Sequence, residues 1–186
     1  SLNYGRRLDK HQRFIFHNAF KADYMNSVDY VSARSSVRNL GVNERFKLDM
    51  RMGKVLLNAT INGRYLHATS QRSSFADINS FDITYSLGSS VQLPLDFNLM
   101  FDLNLLEREG YSDHTMNDLR FVANAQLHKM FMQGKLRVTL QGFDIFQGLS
   151  NVTKIINAQG ITETWHNALP SYVMLRLAYR FDMKKK

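Results

Sequence analysis

The stretch "LDFNLMFDLNLL", residues 95–106, limits the fold more than any other part of the chain. Leu95, Phe97, Leu99, Phe101, Leu103 and Leu105 alternate with Asp96, Asn98, Met100, Asp102 and Asn104. Successive side chains of a β-strand point to opposite faces, so this spacing predicts a strand with one oily and one polar face. Wound as a helix, the same residues would scatter Asp and Asn around every side. What the oily face touches stays open at this point. Lipid outside a membrane barrel and a ligand inside a soluble one both produce the pattern.

The alternation recurs almost from end to end. Phe46, Leu48, Met50 and Met52 oppose Arg45, Lys47, Asp49 and Arg51, and Gly53 with Lys54 then suits a two-residue II′ hairpin. Val55, Leu57, Ala59, Ile61 and Tyr65 form the next face, followed by Phe81, Ile83, Tyr85 and Leu87. Leu93 and Pro94 mark a turn, where proline does no damage to a ladder. Leu119, Phe121, Ala123, Ala125 and Leu127 precede a turn at Gln133 and Gly134, and Leu136, Val138 and Leu140 follow it. In the last strand Val173, Leu175, Leu177, Tyr179 and Phe181 alternate with Met174, Arg176, Ala178 and Arg180. Residues 1–40 are the least regular. Phe14, Phe16, Phe20, Ala22 and Tyr24 share a face that Asn18 interrupts, and residues 28–38 read as a weak, polar strand. No segment carries a sustained helical stripe. The expectation is one all-β unit over residues 1–186, antiparallel and up-and-down, with about eight or nine strands.

Composition narrows the class. The chain has 186 residues, 44% of them hydrophobic, and a mean hydropathy of −0.32. No run of about 18 apolar residues exists, so no transmembrane helix is expected. A membrane β-barrel keeps low average hydropathy, because only alternate residues meet lipid. Cysteine is absent, which removes disulfides, zinc–thiolate sites and thiol nucleophiles. The formal charge of +8 is spread along the chain, with only residues 184–186 forming a block. Nucleic-acid modules concentrate basic residues beside stacking aromatics, so no nucleic-acid partner is expected. The N-terminal residues lack the apolar core of a signal peptide, so an exported chain with this start is a mature form or a piece.

Connection lengths discriminate further. Short connections are expected at Asn26 and Ser27, Gly53 and Lys54, Leu93 and Pro94, and Gln133 and Gly134. Longer ones fall at residues 39–43, 70–75, 107–116 and 149–168. Short turns on one rim and long loops on the other characterise outer-membrane barrels. Strands of about ten residues or more match a tilted membrane span, whereas soluble strands average about five or six. Tyr65, Phe75, Phe81, Tyr85, Phe131, Trp165, Tyr172, Tyr179 and Phe181 lie mainly near strand ends, as an interfacial aromatic girdle requires. With the C-terminus on the short-turn rim, counting back places His11 on the loop rim. Bacterial barrels have even strand numbers, so this count implies further strands upstream.

The C-terminal third then resembles the end of TonB-dependent receptors and related large outer-membrane barrels, of the type common in Bacteroides. "LRVTLQGFDIFQGLSN" carries an Asp-Ile-Phe motif at Asp144, Ile145 and Phe146, followed by Asn151. "ALPSYVMLRLAYRF" matches the final strand, with Tyr172 leading and Tyr179, Arg180 and Phe181 ending it. The preceding hairpin, with Gly110 and Tyr111 and the ending Lys129, Met130 and Phe131, is also similar. Two features depart: Gln147 and Gly148 stand where the family has Asn-Gln, and Phe181 is followed by a lysine-rich tail. The resemblance implies import of a bulky nutrient, an upstream plug domain and energy from TonB.

Candidate chemistry is sparse. None of the six histidines falls in a metal-binding spacing, so no cofactor or metal is expected. Glu107 and Glu109, beside Arg108, Asp113 and His114, fit a solvated loop tip better than an acid–base pair. No nucleophile elbow occurs, and the chain is not expected to be an enzyme. Asp96, Asn98, Asp102, Asn104, Arg137, Thr139, Gln141, Arg176 and Arg180 are candidates to line a lumen. Leu95, Phe97, Leu99, Phe101, Leu103, Leu105, Leu136, Val138, Leu140, Val173, Leu175, Leu177, Tyr179 and Phe181 are candidates to face lipid. Arg34, Arg38, Arg45 and Arg72 are candidates to meet lipopolysaccharide phosphates. The leading expectation is a wall segment of an outer-membrane transport barrel. The alternatives are a complete eight-stranded outer-membrane protein, structural or adhesive, and a soluble lipocalin-like barrel.

Overall fold

The computed structural model describes all residues except 12, 32, 72–76, 113, 158–159, 168, 170 and 182–186. Among the described residues eleven strands form: β1 (Leu2–Arg7), β2 (Phe14–Val31), β3 (Ala33–Met52), β4 (Val55–Ser70), β5 (Ile78–Gln92), β6 (Phe97–Glu109), β7 (Asp118–Phe131), β8 (Leu136–Phe143), β9 (Val152–Asn157), β10 (Gly160–Trp165) and β11 (Tyr172–Tyr179). Nine of them make one antiparallel sheet in the order β1-β2-β3-β4-β5-β6-β7-β8-β11, and β9 with β10 makes a separate hairpin. Among the described residues β1 and β11 do not pair, so the sheet is an open wall.

Turn chemistry places the rims. Gly53 has φ 57° and closes the two-residue hairpin between Met52 and Val55. Its positive φ, with none at Lys54, has the signs of a II′ turn. Pro94 opens a tight turn in which Leu95 and Asp96 both sit near φ +60°. These two residues therefore leave the strand, which begins at Phe97 rather than at Leu95. Residues 132–135 turn through Met132, Gln133 and Gly134, all with positive φ. The long connections, residues 71–77, 110–117 and 144–171, all lie on the opposite rim. From residue 53 onward the loop lengths segregate as expected.

The first fifty residues differ. Asn26 pairs with Arg38 and Ser27 with Val37, so the expected turn there is ladder. Residues 39–43 are ladder too, pairing with both Tyr24 and its neighbours and with the β4 stretch around Leu66. The result is a hairpin of 18 and 20 residues whose tight end, between Val31 and Ala33, lies on the loop rim. Oily alternation stops at Tyr24 and Leu40, yet backbone pairing runs on, because a ladder beyond a bilayer needs no apolar face. A further strand, β1, pairs Leu2 with Phe20 through Arg7 with Ile15. His11 accordingly sits on the short-turn rim, not the loop rim. The expected long loop after Leu149 contains the β9/β10 hairpin, whose short paired runs gave no alternation to read.

The β1–β2 connection is organised by Asp9. Its carboxylate accepts from the backbone N–H of Arg13 (2.6 Å) and of Phe14 (3.1 Å) and from Arg13 Nε (2.9 Å). Desolvation pushes this carboxyl up, but the Arg13 side chain and the two backbone N–H groups outweigh it and hold it below its ordinary value. A lowered folded value means the turn's stabilisation is fully present above pH 3.8 and is lost as the pH falls through the lowered value. Amide exchange should thus show Arg13 and Phe14 protected from neutral pH to that point and released only below it. An Asp9→Asn chain should lose that acid step; protection that decays already near neutral pH would contradict the assignment.

Candidate functional site

A single-layer wall has two faces, and the ladder decides which side chains share each. Asn104 lies opposite Ser86 and Val122, Asp102 opposite Gly88 and Asn124, and Asn98 opposite Gln92 and His128. Gln126 pairs with Gln141, His128 with Thr139, and Thr139 with Arg176. Arg137 pairs with Met130 and Ala178. Of the residues read as lumen candidates, Asn98, Asp102, Asn104, Arg137, Thr139, Gln141 and Arg176 therefore share one continuous polar face. Asp96 lies in the turn, and Arg180 lies one step past β11, its N–H bonded to Lys135 O (2.8 Å). Hydroxyl–amide bonds tie this face across strands: Ser86 Oγ donates to Asn104 Oδ1 (2.7 Å), and Ser90 Oγ to Asn98 Oδ1 (3.3 Å).

The lipid candidates share the other face. Leu105 pairs with Tyr85 and Phe121, Leu103 with Leu87 and Ala123, and Leu99 with Val91 and Leu127. Leu140 pairs with Leu127 and Leu175, Val138 with Leu177, and Leu136 with Tyr179. Leu95 is in the turn, and Phe181, beyond the ladder, packs edge-on against Tyr179 at 4.7 Å. This oily face is the exposed one. On β5, Phe81 is 52% exposed while its neighbour Ser80, on the polar face, is 1% exposed. A soluble barrel with a ligand inside requires the reverse, so the lipocalin-like alternative is set aside.

Aromatic rings mark both ends of the oily face. Tyr65 and Phe81 lie 4.8 Å apart toward the loops, with Tyr65 Oη donating to Asn79. Toward the short turns, Lys129 stands on the oily face with its ammonium 4.4 Å from the Phe97 ring and 5.2 Å from Phe131. An amphipathic cation over rings is at home at a membrane interface. One polar pair interrupts the oily face, Asn18 Nδ2 donating to Glu44 Oε1 (3.2 Å). Sequence reading noted Asn18 but not Glu44, which it placed just past a loop.

The loop rim is held by an ionic and hydrogen-bonded corner. Asp82 accepts from Arg108 Nε (3.2 Å) and from Tyr111 Oη (2.9 Å). Arg108 also reaches Lys154 O (3.5 Å), and Lys154 Nζ contacts Thr115 Oγ1 (2.8 Å) and Glu163 (3.0 Å). Thus Lys154 joins the β9/β10 hairpin to the 110–117 loop. Glu107 and Glu109 project from the oily face, opposite to Arg108, while Asp113 lies outside the described residues. Arg34 and Arg38 lie on the oily side of the long β2–β3 hairpin, beyond Tyr24 and Leu40. Arg45 does not: it stands on the polar face, its Nε donating to Asn62 (3.4 Å), because strand parity places it with Lys47. Arg72 lies outside the described residues.

The Asp-Ile-Phe motif builds the second corner. Asp144, 1% exposed, accepts from the N–H groups of Gly148 (2.8 Å) and Leu149 (3.0 Å). Its own N–H donates to Asn124 Oδ1 (2.9 Å), and the N–H of Ile145 donates to Ala123 O (2.9 Å). Phe146 then stacks on Phe121 with ring centroids 5.5 Å apart. Among the described residues no group of three or more His, Cys, Asp or Glu could hold a metal ion.

No curated protein and no solved structure matches the chain. A family model described as the outer membrane protein beta-barrel family matches residues 13–179, nearly the whole chain. The exposed oily face, the water-compatible opposite face and the segregated rims are what that family requires of its strands. The chain belongs to the outer membrane protein beta-barrel family, and its place is the outer membrane.

Proposed function

We propose that this chain is wall of a TonB-dependent import barrel, with the oily face against lipid and the polar face lining the lumen. The direction of the two edge strands carries the reading. β1 ends at Arg7 and β11 at Tyr179, both on the short-turn rim, so the edges run the same way. Joined directly, they would pair in parallel. A second copy turned about the membrane normal keeps its strand directions and meets the same obstacle. Unpaired backbone edges are not tolerated in lipid, each open group costing several kcal/mol. Antiparallel closure therefore calls for an odd number of additional strands, in a barrel larger than eight, with a lumen wide enough for a plug and a bulky solute.

The C-terminal likeness to TonB-dependent receptors supplies the rest of the reading: an upstream plug, TonB as energy source, and a nutrient as cargo. Arg34 and Arg38 would meet lipopolysaccharide phosphates on the loop side. No catalysis and no cofactor enter this account. The test is the intact mass of the native protein extracted from its outer membrane. A mass several times the 21.6 kDa of this chain is expected. A mass near 21.6 kDa would overturn the import reading and leave a small barrel closing through a parallel β1–β11 pair.

A further inference from the structure

The polar face is not uniform in charge. On β5 and β6 it presents Ser86, Ser90, Asn98, Asp102 and Asn104, neutral or acidic, and the one cation at their loop end, Arg108, is paired with Asp82. On the short-turn half of β3 it presents Arg45, Lys47, Asp49 and Arg51 at consecutive same-face positions. The two carboxylates of this sector are already engaged. Asp49 takes Lys47 Nζ at 2.9 Å and lies 3.6 Å from His17 Nε2, while Asp9 holds Arg13 and its own turn. Arg45 has only the neutral Asn62, and Arg51 has no carboxylate within ion-pair distance among the described residues. A cavity of about 650 Å³, lined by Arg51, Arg13, His11, Ile15, Asp49 and Asn58, opens beside the lower end of the strip.

The spacing selects the occupant. Same-face neighbours on a strand stand about 6.6–6.8 Å apart, so Arg45 and Arg51 are separated by about 20 Å. That is too far for the cations to converge on one phosphate or one carboxylate. A second extended chain carries its own alternate side chains at the same repeat, and acidic residues on it can meet Arg45 and Arg51 together while a third competes with Asp49 for Lys47. Among the described residues the polar face of β2–β4 here carries one ring, His17, and it is turned to Asp49, so no series of rings offers successive bases a stack, which disfavours a nucleic acid. We propose that the short-turn half of β3 is a docking strip for an extended acidic polypeptide segment entering from the short-turn rim. β3 is an interior strand, so recognition is by side chains and is ionic in character.

The inference rests on the polar face being open to water, and on no particular cargo. The measurement is fluorescence anisotropy of the full chain in non-ionic detergent with a labelled peptide of about eight residues bearing glutamate at every second position. Saturable binding is expected at low salt, weakening about tenfold as added salt shortens the screening length below the ion-pair network's size. The triple variant Arg45→Gln, Lys47→Gln, Arg51→Gln should weaken it by about tenfold or more, with an unchanged far-ultraviolet spectrum. Arg137→Gln, a cation on the same face of β8, well removed from the strip across the sheet, should leave it unaltered. No binding at low salt, or equal binding by the triple variant, would overturn the strip. Inorganic phosphate displacing the peptide at matching concentrations would overturn it in favour of a small-anion site. A native mass near that of this chain would remove the import reading and leave this measurement standing; absent binding would do the opposite.

Discussion

Replacing Gly148 by alanine is expected to unfold the loop-rim corner and to be the most damaging single-methyl change in the chain. A Cβ at residue 148 would lie 1.8 Å from the Phe121 carbonyl oxygen and 2.7 Å from its carbon. Those are backbone atoms of β7, an interior strand, and cannot swing aside as a side-chain tip would. Relief requires pulling the 144–149 turn off β7. That loses the Asp144 N–H bond to Asn124, the Ile145 N–H bond to Ala123 and the Phe121–Phe146 ring contact. Overpacking of this kind, with buried bonds broken, costs about 3–5 kcal/mol. Urea titration of the refolded protein should show that loss, together with a reduced folded band in unheated gels. An unchanged midpoint would mean that the close approach of Gly148 to β7 does not exist.

Two neighbours on β6 should respond oppositely to the same change. Leu103→Arg places a guanidinium on the oily face between Leu87 and Ala123, near the middle of the band. Arginine facing lipid at that depth costs about 2–4 kcal/mol, so unfolding from lipid vesicles should shift by that amount. Asp102→Arg puts the group on the polar face, beside Gly88 and Asn124, and should stay within about 1 kcal/mol. Equal costs at both positions would deny that the two faces meet different media, and a reversed order would turn the wall inside out.

Much of this architecture was legible in the residues, for local reasons. Leu99 to Leu105 read as a strand because a two-residue period is a property of the backbone itself. Gly53, Pro94 and Gly134 located three turns because each satisfies a dihedral need within a few residues. The expected count of about nine strands in the sheet agrees with what forms, yet partly by compensation. The stretches around Phe20, Arg34 and Phe46 were read as three strands and are two, while β1 was not read at all. Polar ladder above Tyr24 and Leu40 has no alternation, and "LNYGRR" has little, so neither advertises a strand.

The site divides in the same way. Which residues are oily and which polar along β6, β8 and β11 follows from the chain alone, since parity along a strand is set by covalent geometry. Three things required the ladder. Residues 39–43 continue β3 instead of forming a loop, because they pair with both β2 and β4. Asp144 acquires its role from Gly148, Leu149 and Asn124, of which Asn124 lies on another strand. Arg51 comes beside His11 and Arg13 only because β2 pairs with β3. The sequence by itself therefore determined the period, the turns and the outer-membrane character of the wall. Register, the joining of β2 to β3 and the direction of the two open edges were decided by pairing between distant segments, which no local pattern encodes.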